Sequence, residues 1–108
     1  MWLPKILPMV KQTDDIMKLT ALLKKAAKEM IAKGDLTTHT DFDSCEKFGY
    51  FLEKIAMQLE KKEEIDAKEL LVIFLPTGVW DDSYGSNELA DEICLLIKKC
   101  FFTSSWFF

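Results

Sequence analysis

Apolar and polar positions recur with a helical period over most of this chain. Between Asp14 and Lys33, Ile16, Leu19, Leu23, Ala26 or Ala27, and Met30 share one side of a helical wheel, and Lys18, Lys25 and Lys28 spread over the other. Thr13 is the expected N-cap, Asp14 and Asp15 suit the positive end of the helix dipole, and Gly34 suits the C-terminal stop. A second helix is expected from Ser44 to Lys62, with Cys45, Phe48, Leu52, Ile55 and Leu59 inward and Phe51 and Ala56 widening the stripe. Asp43 with Glu46, or Thr40 with Asp43, has capping-box spacing before it. Phe42 is placed to staple this helix start against Phe48. Gly49 interrupts the helix and would permit close approach of another segment, with Trp80 the candidate.

The longest unbroken apolar run, Leu70 to Leu75, lies in LLVIFLPTGVWDD, and the chain is organised around it. Asp66 and Glu69 have capping-box spacing and predict a short helix from Ala67; Val72, Ile73 and Phe74 have strand composition instead. A lone strand lacks a pairing neighbour in a chain whose other segments are helical, so a short buried helix ending near Pro76 is preferred. Asp81–Ser86 is turn-rich, and a last helix is expected over Glu88–Lys99, with Leu89, Ile93, Leu96 or Ile97, and Cys100 inward. The expected fold class is all-α: a compact bundle of three long helices plus one short buried helix. At 108 residues and 49% apolar composition, one domain over 1–108 is expected. It carries an apolar N-terminal arm at 1–12 and an aromatic tail at 101–108, with Phe101, Phe102, Trp106, Phe107 and Phe108. The tail is expected to pack on Trp2, Leu3, Ile6 and Leu7 of the arm; a homodimer through the two aromatic ends is the alternative.

Charge changes the picture more than composition does. The formal net charge is -4, every basic side chain is lysine, and residues 34–97 hold fifteen carboxylates against five lysines. Without arginine, bidentate reading of phosphate or bases is disfavoured, so no nucleic acid partner is expected; a basic protein partner fits the field. No apolar stretch reaches the roughly 18 residues of a membrane span. The start of the chain has no small-residue cleavage site, so a cytoplasmic location is expected.

No phosphate loop, zinc-binding HExxH or nucleophile elbow is present, and the protein is expected not to be an enzyme and to need no cofactor. Any catalytic triad would depend on His39, the one histidine. His39 lies near Asp35, Asp41 and Asp43, which leaves a small metal-dependent enzyme as an alternative, although the spacing fits neither a zinc pair nor a calcium loop. Cys45, Cys94 and Cys100 form no CxxC and read as free thiols in helical cores. What remains is a binding surface: Trp80, Asp81, Asp82 and Tyr84 combine aromatic area with negative charge, and Glu46, Glu53 and Glu60 add carboxylates from the second helix.

LLVIFLP at Leu70–Pro76, DDSYG at Asp81–Gly85 and the terminal amphipathic helix together resemble the colicin-type nuclease immunity proteins. That resemblance implies two longer helices, a short third helix ending near a proline, an acidic turn and a final helix. It implies a non-catalytic acidic inhibitor that neutralises a basic bacterial toxin. The chain departs from the pattern where the family carries a pair of tyrosines, having Phe74 and Leu75, and in Thr77-Gly78 and the aromatic tail.

Overall fold

A computed structural model describes residues 13–36, 40, 42–76 and 78–102. The described residues form five α-helices and no strand: α1 Thr13–Ala32, α2 Cys45–Glu60, α3 Ala67–Phe74, α4 Val79–Asp82 and α5 Asn87–Phe101. The all-α expectation holds, and so does helix rather than strand for the Leu70–Leu75 run. The count of elements does not: a fifth helix, the single turn α4, occupies ground expected to be a turn. Gly78 starts it from an extended conformation, and Asp82 N–H donates to the Gly78 carbonyl at 2.9 Å. The apolar arm at 1–12, the loop residue His39 and the tail from 103 onward lie outside the described residues.

The helix ends show how local sequence sets these bounds. α3 starts where Asp66 Oδ1 accepts the Glu69 N–H at 3.0 Å, the expected cap. It stops at Phe74 because Leu75 is held extended (φ -71°, ψ 158°), the conformation imposed on a residue before proline. α1 begins at Thr13 itself, with Asp14 and Asp15 in its first turn, and ends one residue before Lys33. Gly34 follows in the left-handed region at φ 61°, where a Cβ would be strained. The start of α2 corrects the expectation. Its cap is Ser44, whose side chain accepts the Lys47 N–H at 3.3 Å; Asp43 instead faces the Lys47 ammonium at 4.0 Å. Phe42 does staple this end, its ring centroid 5.0 Å from Phe48 and 5.3 Å from Phe51.

Packing follows the stripes. α1 lies along α2, and α5 packs on both α1 and α3. Leu19, Leu23 and Met30 of α1, Phe48, Leu52 and Leu59 of α2, Leu70 of α3, Trp80 of α4, and Ile93 and Ile97 of α5 are the large side chains withdrawn from water. Each such burial contributes about 1.5–3 kcal/mol relative to exposure, so these residues dominate the driving force. Gly49 does permit a close approach, but its partner is α1 and not Trp80. A Cβ there would sit 2.7 Å from Ile31 Cγ1 and 2.8 Å from the Ala27 carbonyl oxygen and the Ile31 backbone nitrogen. The α1–α2 seam is thus a backbone-to-backbone contact.

Trp80 joins the two parts of the core. It is 1% exposed, with ring centroids 5.3 Å from Phe74 of α3 and 6.4 Å, edge-on, from Phe48 of α2. Its Nε1–H donates to the Ser86 carbonyl at 2.8 Å, which satisfies the one polar atom of the indole. Gly85 lies against the ring face; a Cβ there would come within 2.0 Å of the indole.

Candidate functional site

The α3–α5 half carries most of the unbalanced charge. Residues 63–102 hold nine carboxylates and three lysines, Lys68, Lys98 and Lys99, a formal balance of -6. All nine are exposed: Glu63, Glu64, Asp66, Glu69, Asp81, Asp82, Glu88, Asp91 and Glu92. Residues 13–62, spanning α1 and α2, hold nine carboxylates and nine lysines, a balance of zero. Within that hairpin, charges meet across the seam: Lys24 of α1 pairs with Glu60 of α2.

Glu46, Glu53 and Glu60 recur every seven residues and form one edge of α2, each followed directly by a lysine, Lys47, Lys54 and Lys61. Glu60's pairing with Lys24 places this edge on the α1 side. Glu46 and Phe48 are two residues apart, about 200° around a helix. Phe48 is the residue that meets Trp80. The glutamate edge therefore faces away from α4, and the expected site residues fall into two separate groups. Glu46, Glu53 and Glu60 belong to a charge-balanced seam. Asp81, Asp82 and Tyr84 belong to the acidic half.

Within the second group the structure assigns different places to neighbours. Asp81 and Asp82 are exposed on α4, in its favourable first turn. Trp80, expected to lend aromatic area to the binding surface, is instead interior, packed on Phe48 and Phe74, and offers no contact area to another molecule in this conformation. The aromatic surface at this turn is that of Tyr84, 52% exposed and in the left-handed region at φ 66°. A bulky residue there carries strain of about 1–3 kcal/mol. The reason is local: Gly85, which would adopt that conformation freely, is consumed by clearance for the Trp80 ring, and the positive φ falls one residue earlier.

Two features were not anticipated from sequence. Tyr50 and Met57, seven residues apart on the outer side of α2, are 51% and 45% exposed and line a shallow groove of about 260 Å³ with Glu53 between them. The Tyr50 hydroxyl donates to Glu46 Oε2 at 3.4 Å, and that carboxylate's negative charge raises the phenol above its usual range. Their seven-residue spacing was the available signal. Ser83 is the other: it is fully buried and its hydroxyl has no partner among the described residues, while its carbonyl lies 3.7 Å from the Cys45 thiol. Nothing in the residue pattern marked it.

All three cysteines are free. Burial pushes each thiol up, Cys100 to about 11, with Asp15 adding to the shift. Such thiols are poor nucleophiles near neutral pH, because the thiolate is the reactive form. Cys94 donates to the Phe74 carbonyl at 3.4 Å, tying α5 to the end of α3. Among the described residues no three His, Cys, Asp or Glu side chains come together as a metal site, and His39 is not among those residues. No helix among the described residues is long and apolar enough to cross a membrane. Compared with known families, curated proteins and solved structures, the chain matches none.

Proposed function

We propose that this protein is a non-enzymatic acidic binding module that inhibits a basic protein, in the manner of an immunity protein neutralising a basic bacterial toxin. The observation that carries the reading is the exposed half at residues 63–102, containing α3, α4 and α5, where nine exposed carboxylates outnumber three lysines, Lys68, Lys98 and Lys99. Concentrated like charge of this kind disfavours self-association and speeds encounter with a cationic surface. Asp81, Asp82 and Tyr84 form the centre of the proposed contact, with Tyr84 supplying aromatic area that stays presented because Trp80 and Gly85 fix the turn. Glu46, Glu53 and Glu60 are the weaker part, since their lysine neighbours cancel their field.

The resemblance carried by Leu70–Pro76 and Asp81–Gly85 supports an inhibitor over a scaffold. The test has two stages. A basic protein is first captured from native extract and identified by mass spectrometry. Its affinity is then titrated against the wild type, the pair Asp81→Asn with Asp82→Asn, and the pair Glu46→Gln with Glu53→Gln. The aspartate pair is expected to weaken binding by about tenfold at low salt, and the glutamate pair by much less. Equal affinity for all three proteins at low salt would remove the α4 turn from the contact.

A further inference from the structure

We propose that the outer face of α2 pairs with the same face of a second copy of this chain, the two α2 helices lying parallel about a twofold axis. Tyr50 and Met57 lie on one line along this face and are 51% and 45% exposed. Phe48, which turns into the core to meet Trp80, stands two residues from Tyr50, about 200° around the helix. The line therefore points away from the rest of the bundle. At about 100° per residue, Glu46, Glu53 and Glu60 fall on one flank of this line and Lys47, Lys54 and Lys61 on the other. Glu53 and Lys54, midway between Tyr50 and Met57, sit about 50° to either side of it. A narrow apolar line between charged flanks is the pattern of a seam between two helices, where the flanking charges set partner and orientation.

The charges choose both the occupant and its direction. Adjacent residues on a helix do not face one another, so Glu53 and Lys54 do not pair together. The residues three and four away from either one are uncharged: Gly49, Tyr50, Phe51, Ala56, Met57 and Gln58. Among the described residues neither Glu53 nor Lys54 has an ion-pair partner, whereas Glu60 meets Lys24 and Lys47 faces Asp43. A twofold axis along the helices sets the acidic flank of each copy against the basic flank of the other at nearly the same height. Glu53 of each copy then meets Lys54 of the other, Tyr50 meets Tyr50, and Met57 meets Met57. An antiparallel pair would set glutamate against glutamate and lysine against lysine, and like-charge juxtaposition excludes it. A purely cationic surface would meet the lysine flank and a purely anionic one the glutamate flank. The face of α2 itself carries both signs in the order that answers both. The acidic turn at α4 lies beyond Phe48, on the opposite side of α2, so the carboxylate-rich halves of the two copies stay apart.

The experiment is analytical ultracentrifugation of the full chain over a concentration series in about 0.15 M salt. The wild type is expected to dimerise. Glu53→Lys sets lysine against lysine across the axis, and Lys54→Glu sets glutamate against glutamate. Each is expected to weaken the dimer about tenfold or more, with circular dichroism unchanged. An equimolar mixture of the two variants restores opposite charges at both contacts and is expected to associate as the wild type does. The double swap, Glu53→Lys with Lys54→Glu, is expected to do the same. The proposal is overturned if the wild type stays monomeric up to about 1 mM. It is overturned if the wild type dimerises with an affinity that neither single variant changes, since the contact then lies elsewhere or runs antiparallel. It is also overturned if both single variants dissociate the dimer and their mixture does not reassociate.

Discussion

The α1–α2 hairpin and the α3–α5 half bury their apolar faces in one core yet handle charge in opposite ways. In the hairpin, nine lysines answer nine carboxylates, Lys24 meets Glu60, and the helices touch backbone to backbone at Gly49. In the other half, nine exposed carboxylates outnumber three lysines, two of them in the last turn of α5, the longest element is α5 at 15 residues, and the connection to it is stiffened by an aromatic ring on a glycine. Self-compensated surface has no net field to draw a basic protein, whereas uncompensated surface carries repulsion that a cationic partner would relieve. The difference separates the part of the molecule that holds the fold from the part offered to a basic partner.

Trp80 ties the halves together, so removing it is the largest perturbation. Trp80→Ala is expected to lower unfolding stability by about 3–5 kcal/mol in a denaturant titration, because it leaves a cavity between Phe48 and Phe74. A loss below about 1 kcal/mol would mean that the halves fold independently of this ring. Gly49→Ala tests the hairpin alone. Its added methyl meets backbone atoms of Ala27 and Ile31, so a destabilisation of about 1–3 kcal/mol is expected despite the better helix propensity of alanine. Stabilisation by that substitution would show that the seam is looser than its spacing implies.

Alkaline pH probes the contact of α5 with α1. Cys100 is raised in the folded protein from 9.0 to about 11, so its contribution is fully present below pH 9.0 and is lost as pH rises toward about 11. Over that window the wild type should lose about 1–2 kcal/mol more than Cys100→Ala. Parallel pH profiles for the two proteins would contradict the burial of this thiol. In the acidic half, Asp66→Ala removes the α3 cap and should cost about 1 kcal/mol in the same denaturant assay. Glu92→Lys, four residues after the exposed Glu88, replaces like-charge repulsion with attraction and should raise stability by about 0.5 kcal/mol in low salt. That gain should vanish in high salt. The same swap at Glu53, whose neighbours three and four residues away, Gly49, Tyr50, Ala56 and Met57, carry no charge, should bring no gain.

The long helices were legible because their stripes are periodic and their ends carry local signals: Asp66 before α3, Gly34 after α1, Pro76 as a stop. The aromatic pair of Phe42 and Phe48 was readable for the same reason. Where several capping residues stand together, as at Thr40, Asp43 and Ser44, spacing alone does not say which one caps, and it misplaced the start of α2. α4 was missed because one turn is too short to show a period. Gly49 announced a close approach but not its partner, which only the crossing of α1 and α2 decides. The candidate site was legible as composition and not as grouping. The alternation of glutamate with lysine at 46–47, 53–54 and 60–61 was present in the chain, yet its meaning required knowing that Glu60 faces Lys24. Trp80 shows the same limit, since a tryptophan beside two aspartates reads equally as a surface anchor or as the floor beneath one.

The Trp80–Gly85 contact also makes the segment from Asp81 to Ser86 a spacer of fixed length. An indole fills the place a side chain at 85 would take and binds the carbonyl of the next residue, so slack has nowhere to go. One residue inserted there would turn α5 by about 100° about its axis. Glu88, Glu92, Leu96 and Lys99 would then move to the inward positions held by Leu89, Ile93, Ile97 and Cys100. Homologues of this chain would thus be expected to keep the number of residues in this segment fixed, with a glycine against the tryptophan and a small residue at the buried position of Ser83.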